Sequence, residues 1–361
     1  MLIRPSEPFS DGLIGIVQGR ENMTRKQRIF VLYTGGTIGM SQSSQGLRPD
    51  VALVGKALQP FSDGLQFDWH VCTPLIDSSA LTLQNWCDWL ALLVEKIPHY
   101  DGVLVLHGTD TLAYSANLLA LALQGLDKPV VLTGAQWPFD SEGSDAPLNL
   151  ATAVAAFSLP GLREVVLAFN GKLFPAVGSS KISTEAAEGF GNAHFGPLGA
   201  WSAAKGWQPQ PEFAPPPAAD KAALHALPLG SQAKVLCHTL IPGFSSEAVA
   251  ASLQHTPARA VVLQSYGHGN ATADGAFIEA VQAFTARGGL LLNISQVPQG
   301  RAAAVYAQGD ALRQAGVING GKANLETATA LLTLAVSGGW NADWVQQQLQ
   351  ALKLCYTHSK K

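Results

Sequence analysis

The stretch Arg28-Ile29-Phe30-Val31-Leu32-Tyr33-Thr34-Gly35-Gly36-Thr37-Ile38-Gly39 joins a short apolar run to a glycine-rich turn that carries two hydroxyls. A second stretch, Gly102-Val103-Leu104-Val105-Leu106-His107-Gly108-Thr109-Asp110-Thr111, repeats the arrangement. Both runs are apolar throughout and contain β-branched residues, as expected of strands buried on both faces of a parallel sheet. Ligands bind such sheets beyond the carboxyl ends of the strands, which is where both turns fall. Glycine lets the backbone bend sharply and approach a ligand. A threonine hydroxyl becomes a nucleophile once a neighbour takes its proton.

Working outward, strand-like runs at 69–72, 130–132 and 165–169 alternate with helix candidates at 83–96, 112–123 and 149–157. The alternation predicts an α/β fold whose larger N-terminal domain is a doubly wound, mainly parallel sheet. Residues 209–232, with Pro211, Pro215, Pro216 and Pro217 among alanines, predict an extended linker. Strands at 234–239, 260–264 and 289–294, with helices at 246–254, 275–287 and 325–336, predict a smaller C-terminal α/β domain. The expected division is an N-terminal extension over 1–27, a catalytic domain over 28–208, the linker over 209–232 and the second domain over 233–361. The extension holds Pro5, Pro8, Gly12, Gly15 and Gly19 and lacks the periodicity of a packed element. It is expected to be disordered, with Met23 an equally good start of translation.

At 361 residues, 47% hydrophobic and 14% charged, the chain can bury a core of enzyme size. A net charge of -3 and a pI of 6.3, without basic or acidic runs, argue against nucleic acid or an anionic membrane as partner. Cys72, Cys87, Cys237 and Cys355 have no paired metal-ligand spacing and are expected to be mostly buried thiols in a reducing compartment. With no signal peptide or membrane span at the N-terminus, the cytoplasm is the expected location. No cofactor or metal is expected.

Each candidate group has a plain reading beside the chemical one. Thr34-Gly35-Gly36-Thr37 lacks the Lys-Ser/Thr ending of a phosphate-binding loop and is compatible with a simple strand-to-helix connection. Asp110, directly after a buried strand, must face a cleft or cap the helix that follows. Asp77-Ser78-Ser79 reads as a helix cap or as a carboxylate with two hydroxyls in a cleft. Lys181 is either a solvated surface lysine or a proton acceptor beside a threonine. His107 and His268 have no partners at ligand spacing and read as structural or loop residues.

Taken together, Tyr33-Thr34-Gly35-Gly36-Thr37-Ile38-Gly39-Met40, His107-Gly108-Thr109-Asp110-Thr111 and Leu132-Thr133-Gly134-Ala135-Gln136 resemble the bacterial type I, cytoplasmic L-asparaginases. The likeness continues through Ser180-Lys181, Ser265-Tyr266-Gly267-His268-Gly269-Asn270 and Ala315-Gly316-Val317-Ile318. It implies hydrolysis of L-asparagine to L-aspartate and ammonia through an acyl-enzyme, the chemistry of asparagine catabolism. On that resemblance Thr37 is the nucleophile. Thr109, Asp110 and Lys181 form a second set in which the lysine takes a proton from Thr109. Asp110 and Asp77 receive the substrate's ammonium; Ser78, Ser79 and backbone amides hold its carboxylate and the oxyanion.

Three positions depart from the family's pattern. Its mobile loop commonly carries a tyrosine where this chain has Leu47. Tyr306, reaching in from a neighbouring subunit, is the candidate to fill that role. The allosteric members carry an arginine and a cysteine where this chain has Gln264 and Val297, so allostery driven by asparagine is not expected. His268 stands between two glycines of the second-domain motif. The family also implies a homo-oligomer, a dimer or tetramer with sites near subunit interfaces. The alternatives are a broader asparaginase-glutaminase, since one methylene is worth about 1–3 kcal/mol of discrimination, and a non-catalytic amino-acid sensor on the same fold. Binding alone does not require two hydroxyls and a lysine together, which favours an enzyme.

Overall fold

The computed structural model describes residues 25–43, 46–210, 223–272, 274–303 and 307–355. Eight strands form the large sheet: β1 (Gln27–Tyr33), β2 (Leu65–Val71), β3 (Gly102–Leu106), β4 (Val130–Thr133), β5 (Val165–Phe169), β6 (Lys172–Pro175), β7 (Gly199–Ser202) and β8 (Gly206–Pro209). Their order across the sheet is β8-β7-β6-β5-β4-β3-β1-β2. The first five strands are mutually parallel, and β6, β7 and β8 add an antiparallel edge. Every residue of β3, and β1 from Ile29 onward, is buried, which is why these runs are apolar without alternation.

The topology places the candidate turns. From β1 the chain steps outward to β2, then returns to β3 on the opposite side of β1, so the winding reverses at the β1–β3 seam. A crevice opens beyond the carboxyl ends of strands at such a reversal. Tyr33 is level with Leu106 across the seam, and the turns that follow the two strands therefore lie side by side.

Helices α1 (Val51–Leu58), α2 (Leu83–Lys96), α3 (Leu112–Ala122) and α4 (Ala146–Ala156) cover this sheet. The predicted helix at 83–96 is α2, begun by a capping box between Thr82 and Asn85. The helix expected at 149–157 starts earlier, at Ala146, because Pro147 fits a first helical turn where no N–H is needed. The second sheet is parallel throughout, in the order β9 (Val235–Thr239), β10 (Ala260–Ser265), β11 (Leu290–Ser295) and β12 (Ile318–Asn319). It carries α5 (Ser245–His255), α6 (Gly275–Ala286), α7 (Ala307–Gln314), α8 (Leu325–Gly338) and α9 (Ala342–Ala351). The α/β reading with a smaller second domain therefore holds.

The two sheets share apolar packing. One hydrophobic cluster runs from Leu32, Val105 and Leu119 through Leu331 and Leu334 to Val262 and Leu292. Within the expected linker, His225–Ala226 pairs as a short antiparallel strand with Leu123–Gln124, and 211–222 lie outside the described residues. Residues 1–24 of the expected extension also lie outside them. The cysteines depart from expectation: Cys72, Cys87 and Cys355 are half-buried and Cys237, on edge strand β9, is exposed, all four as free thiols. No described helix is long and apolar enough to cross a membrane.

Two glycines in this half make opposite predictions. Gly36 has φ 95°, and a Cβ there would stand 2.5 Å from Gly108 Cα, so Gly36→Ala is expected to destabilise by about 2 kcal/mol or more. Gly55, inside α1 with open space around it, should gain about 0.5–1 kcal/mol on replacement by alanine. Urea unfolding of the two variants checks both signs.

Candidate active site

The turn after β1 is held by its neighbours before any ligand is considered. Thr34 donates both its backbone N–H and its hydroxyl to Leu106 O at 3.0 Å, and its own carbonyl accepts from Ile76 N at 2.8 Å. Gly35 lies against the backbone of Ile76, and Gly36 against that of Gly108. Thr37 then opens a single helical turn, Thr37–Gly39, and is half-buried. Thr37 and Thr109 each directly follow one of two glycines whose backbones touch. The structure thus places Thr37 and Thr109 on adjacent turns beyond the carboxyl ends of β1 and β3.

Thr109 is buried, 9% exposed, at the start of the loop into α3. The Lys181 ammonium donates to Thr109 Oγ1 at 2.9 Å and to Asp110 Oδ1 at 2.7 Å. Lys181 arrives from outside the parallel sheet, on the short strand Ser179–Lys181 paired with Phe190–Asn192. Its side chain is 18% exposed, so the solvated-surface reading does not hold. Asp110 is not a helix cap: Thr111 occupies the N-cap position of α3, makes no side-chain cap bond, and donates its hydroxyl to Ser78 O at 2.8 Å.

For Asp77 the structure shows the cap. It caps the turn Ser78–Ala80, where its Oδ1 accepts from Ser79 N and from Ser79 Oγ, each at 2.9 Å. These bonds, the backbone one foremost, hold its carboxyl below the usual range, so the group is a carboxylate at neutral pH. Ser78 is buried beside Gly108, where a Cβ would meet its hydroxyl. Ser78 therefore meets the Thr109–Asp110 loop through Gly108 and Thr111, Lys181 bonds both loop residues, and Thr37 stands one residue from the shared glycine seam. Tyr306 lies outside the described residues, as does the side chain of Leu47.

The family model "Asparaginase, N-terminal" matches residues 28–212, and "Glutaminase/Asparaginase C-terminal domain" matches 234–349. The chain belongs to the asparaginase family. It is 32% identical over 333 residues to L-asparaginase 1 of Escherichia coli, covering 90% of this chain and 96% of that one. It superposes on L-asparaginase I of Vibrio cholerae with a TM-score of 0.79 at 29% identity, over 90% and 97% of the two chains. A probable cytoplasmic L-asparaginase from Campylobacter jejuni gives a TM-score of 0.73 at 26% identity, over 90% and 99%.

In this asparaginase-family chain the remaining motif residues build the wall behind the crevice. His107 is fully buried, with Nδ1 at 2.7 Å from Gly108 O and Nε2 at 2.8 Å from Ser115 Oγ. A carbonyl can only accept, so Nδ1 carries the proton. Nε2 then accepts from Ser115, whose oxygen accepts in turn from Trp86 Nε1 at 2.8 Å. Burial pushes the imidazole down to about 4, partly offset by the Gly108 carbonyl, so it is neutral and structural, as read from its spacing. His268 is exposed on a loop. No cluster of metal-ligating side chains occurs among the described residues.

Asp145 and Asn149 belong to none of the sequence motifs. Asp145 takes the N–H groups of Gln136 and Trp137 at 3.0 Å, and Asn149 Nδ2 donates to Gly134 O at 2.9 Å, fixing the Leu132–Gln136 turn. Gln136 Nε2 in turn holds the carbonyls of Ser183 and Ala186, next to Lys181. A signal lies in the amide of Asn149 on a mainly apolar helix, although its partner is set only by the fold.

The buried imidazole makes a pH prediction. His107 binds a proton near 6.5 in the unfolded chain and near 4 in the fold, so stability rises with pH between these values. The contribution is complete above 6.5 and is lost as pH falls through 4; it amounts to on the order of 3 kcal/mol. The stability gap between wild type and His107→Gln should therefore narrow from pH 7 to pH 4 in urea unfolding.

Proposed function

We propose that this chain hydrolyses L-asparagine to L-aspartate and ammonia through an acyl-enzyme on Thr37. The observation that carries the reading is Lys181 Nζ, 2.9 Å from Thr109 Oγ1 and 2.7 Å from Asp110 Oδ1, beside the turn that bears Thr37. The relatives named above are L-asparaginases by name, and the two matching family models together span most of the chain.

Asp110 and Asp77 receive the α-ammonium, since carboxylates suit a small cation. The α-carboxylate takes the Ser78 and Ser79 hydroxyls, the latter turning away from Asp77, together with backbone amides. Thr37 Oγ attacks the side-chain amide carbon, and the C–N bond breaks as ammonia leaves with a proton, giving an ester. Backbone N–H groups of the glycine turn hold the oxyanion. Water then attacks the ester, losing a proton to Thr109, whose own proton passes to Lys181 in its amine form; the acyl C–O bond to Thr37 breaks, aspartate leaves, and the proton returns from Lys181 through Thr109 to the Thr37 oxygen.

The expected site is completed by Tyr306 from a second subunit in a homodimer or homotetramer. The two domains are taken as 28–208 and 233–361, joined across 209–232. A cytoplasmic location suits four free thiols and the likeness to the Campylobacter jejuni protein. Gln264, whose Oε1 accepts from the Thr239 hydroxyl at 2.8 Å, offers no cation to an effector's carboxylate. Saturation with asparagine is therefore expected to be hyperbolic.

Ammonia release from L-asparagine and L-glutamine tests the reading. Thr37→Ala should lower asparagine turnover by on the order of 10³-fold or more. Lys181→Met should lower it by about 10²- to 10⁴-fold. Absence of turnover of either amide by the wild type would favour a sensor, and comparable turnover of both a broader asparaginase-glutaminase. Tyr306→Phe should reduce kcat; an unchanged kcat would remove the shared-site assignment.

A further inference from the structure

We propose that Asn324 and Thr327 of the second domain, together with Asn117 of α3, form a positioning brace that sets Lys181 against Thr109. The inference rests on the role given to Lys181 under the proposed function. The three residues precede no predicted motif and touch no reacting group. They nevertheless grip both arms of the Lys181–Thr109 contact.

One arm is the backbone that delivers Lys181, and each of the three residues before it is held. Gly178 N donates to Asn117 Oδ1 and Thr327 Oγ1, both at 3.1 Å. Ser179 O accepts from Asn117 Nδ2 at 3.2 Å and from Asn324 Nδ2 at 3.0 Å. Ser180 Oγ accepts from Asn324 Nδ2 at 2.8 Å and donates to Glu326 Oε2 at 2.9 Å. The other arm is α3, which begins two residues after Asp110. Asn117 lies on it, donates also to Ala113 O at 2.8 Å, and is fully buried.

The helix terminus of α8 closes the cluster. Asn324 is its N-cap: Oδ1 accepts from Thr327 N at 3.0 Å, which leaves Nδ2 free to reach Ser179 and Ser180. The single proton of the buried Thr327 hydroxyl lies between Asn324 Oδ1 and Asn117 Oδ1, each at 2.5 Å. Helices α3 and α8 pack against each other within the shared hydrophobic cluster. Directional bonds in a buried polar cluster choose one register. Here the chosen register is that of the lysine strand relative to the threonine loop. A misplacement of about 1 Å at such a contact can lower a rate by about 10²-fold, so the brace acts on the chemical step.

The test measures kcat and KM for asparagine with the full-length protein at 25 °C. Thr327→Val keeps the volume and removes the hydroxyl; kcat is expected to fall by about 10- to 100-fold with KM unchanged. Thr327→Ser, which keeps the hydroxyl, should restore the wild-type rate. Should Thr327→Val fail to fold, Asn324→Ser retains a good N-cap while losing the reach to Ser179 and Ser180, and should show the same loss of kcat. In a Lys181→Met background, Thr327→Val should lower the residual rate no further, because the brace works through that lysine. A further loss there, or a folded Thr327→Val or Asn324→Ser protein with wild-type kcat, overturns the brace. Lys181→Met at the wild-type rate overturns the role of Lys181, and the brace with it. An inactive Lys181→Met beside a fully active Thr327→Val removes the brace alone.

Discussion

Two glycine backbones in van der Waals contact, Gly36 and Gly108, set the spacing of the whole crevice. Adjacent parallel strands end level at Tyr33 and Leu106, and the chains leaving them must separate or touch. A Cβ at Gly36 would stand 2.5 Å from Gly108 Cα, and one at Gly108 would collide with the Ser78 side chain. Because the two backbones touch, Thr37 and Thr109 stand one residue beyond a common seam, and Ser78 packs into the same corner. The reversal of winding between β1 and β3 supplies the opening, while the glycines govern its width.

Around that seam the charged and neutral polar groups are sorted by depth. The exposed rim holds Asp77, Asp110 and the partly exposed Lys181, groups able to exchange partners with a solute. Behind them stand groups whose bonds are complete. The neutral His107 links Trp86 and Ser115 to the Gly108 carbonyl, and Asp145 spends both oxygens on backbone N–H groups. A buried imidazole with both nitrogens engaged fixes the peptide next to Thr109 without competing for a ligand.

The parts of this arrangement that sequence discloses are local ones. Continuous apolar runs at 28–33 and 102–106 mark strands covered on both faces, and paired glycines mark the turns at their ends. Thr82 marks the start of α2 because a cap and its reciprocal partner lie three residues apart. Strands β6, β7 and β8 carry no such mark: they are four residues each, contain glycine or proline at an end, and owe their pairing to the neighbouring strand. The Lys181–Asp110 pair spans 71 positions, and only the crossing of the chain brings it together. Asp110 was open to cap or cleft for the same reason, since Thr111 and Lys181 compete to decide it. Asn117 stands out as an amide inside an apolar helix, but nothing near it in the chain names Thr327 as its partner.

The hydrophobic cluster that passes from Val105 through Leu331 to Leu292 bears on how such a protein can diverge. Its two halves are not separate modules laid end to end, since α8 of one half is the roof over α3 of the other. Recombination between distant relatives at the boundary would join a roof to a floor shaped for different side chains. Change is therefore channelled toward the rims, loops and antiparallel edge, where the crevice can be retuned while the two halves are inherited as one.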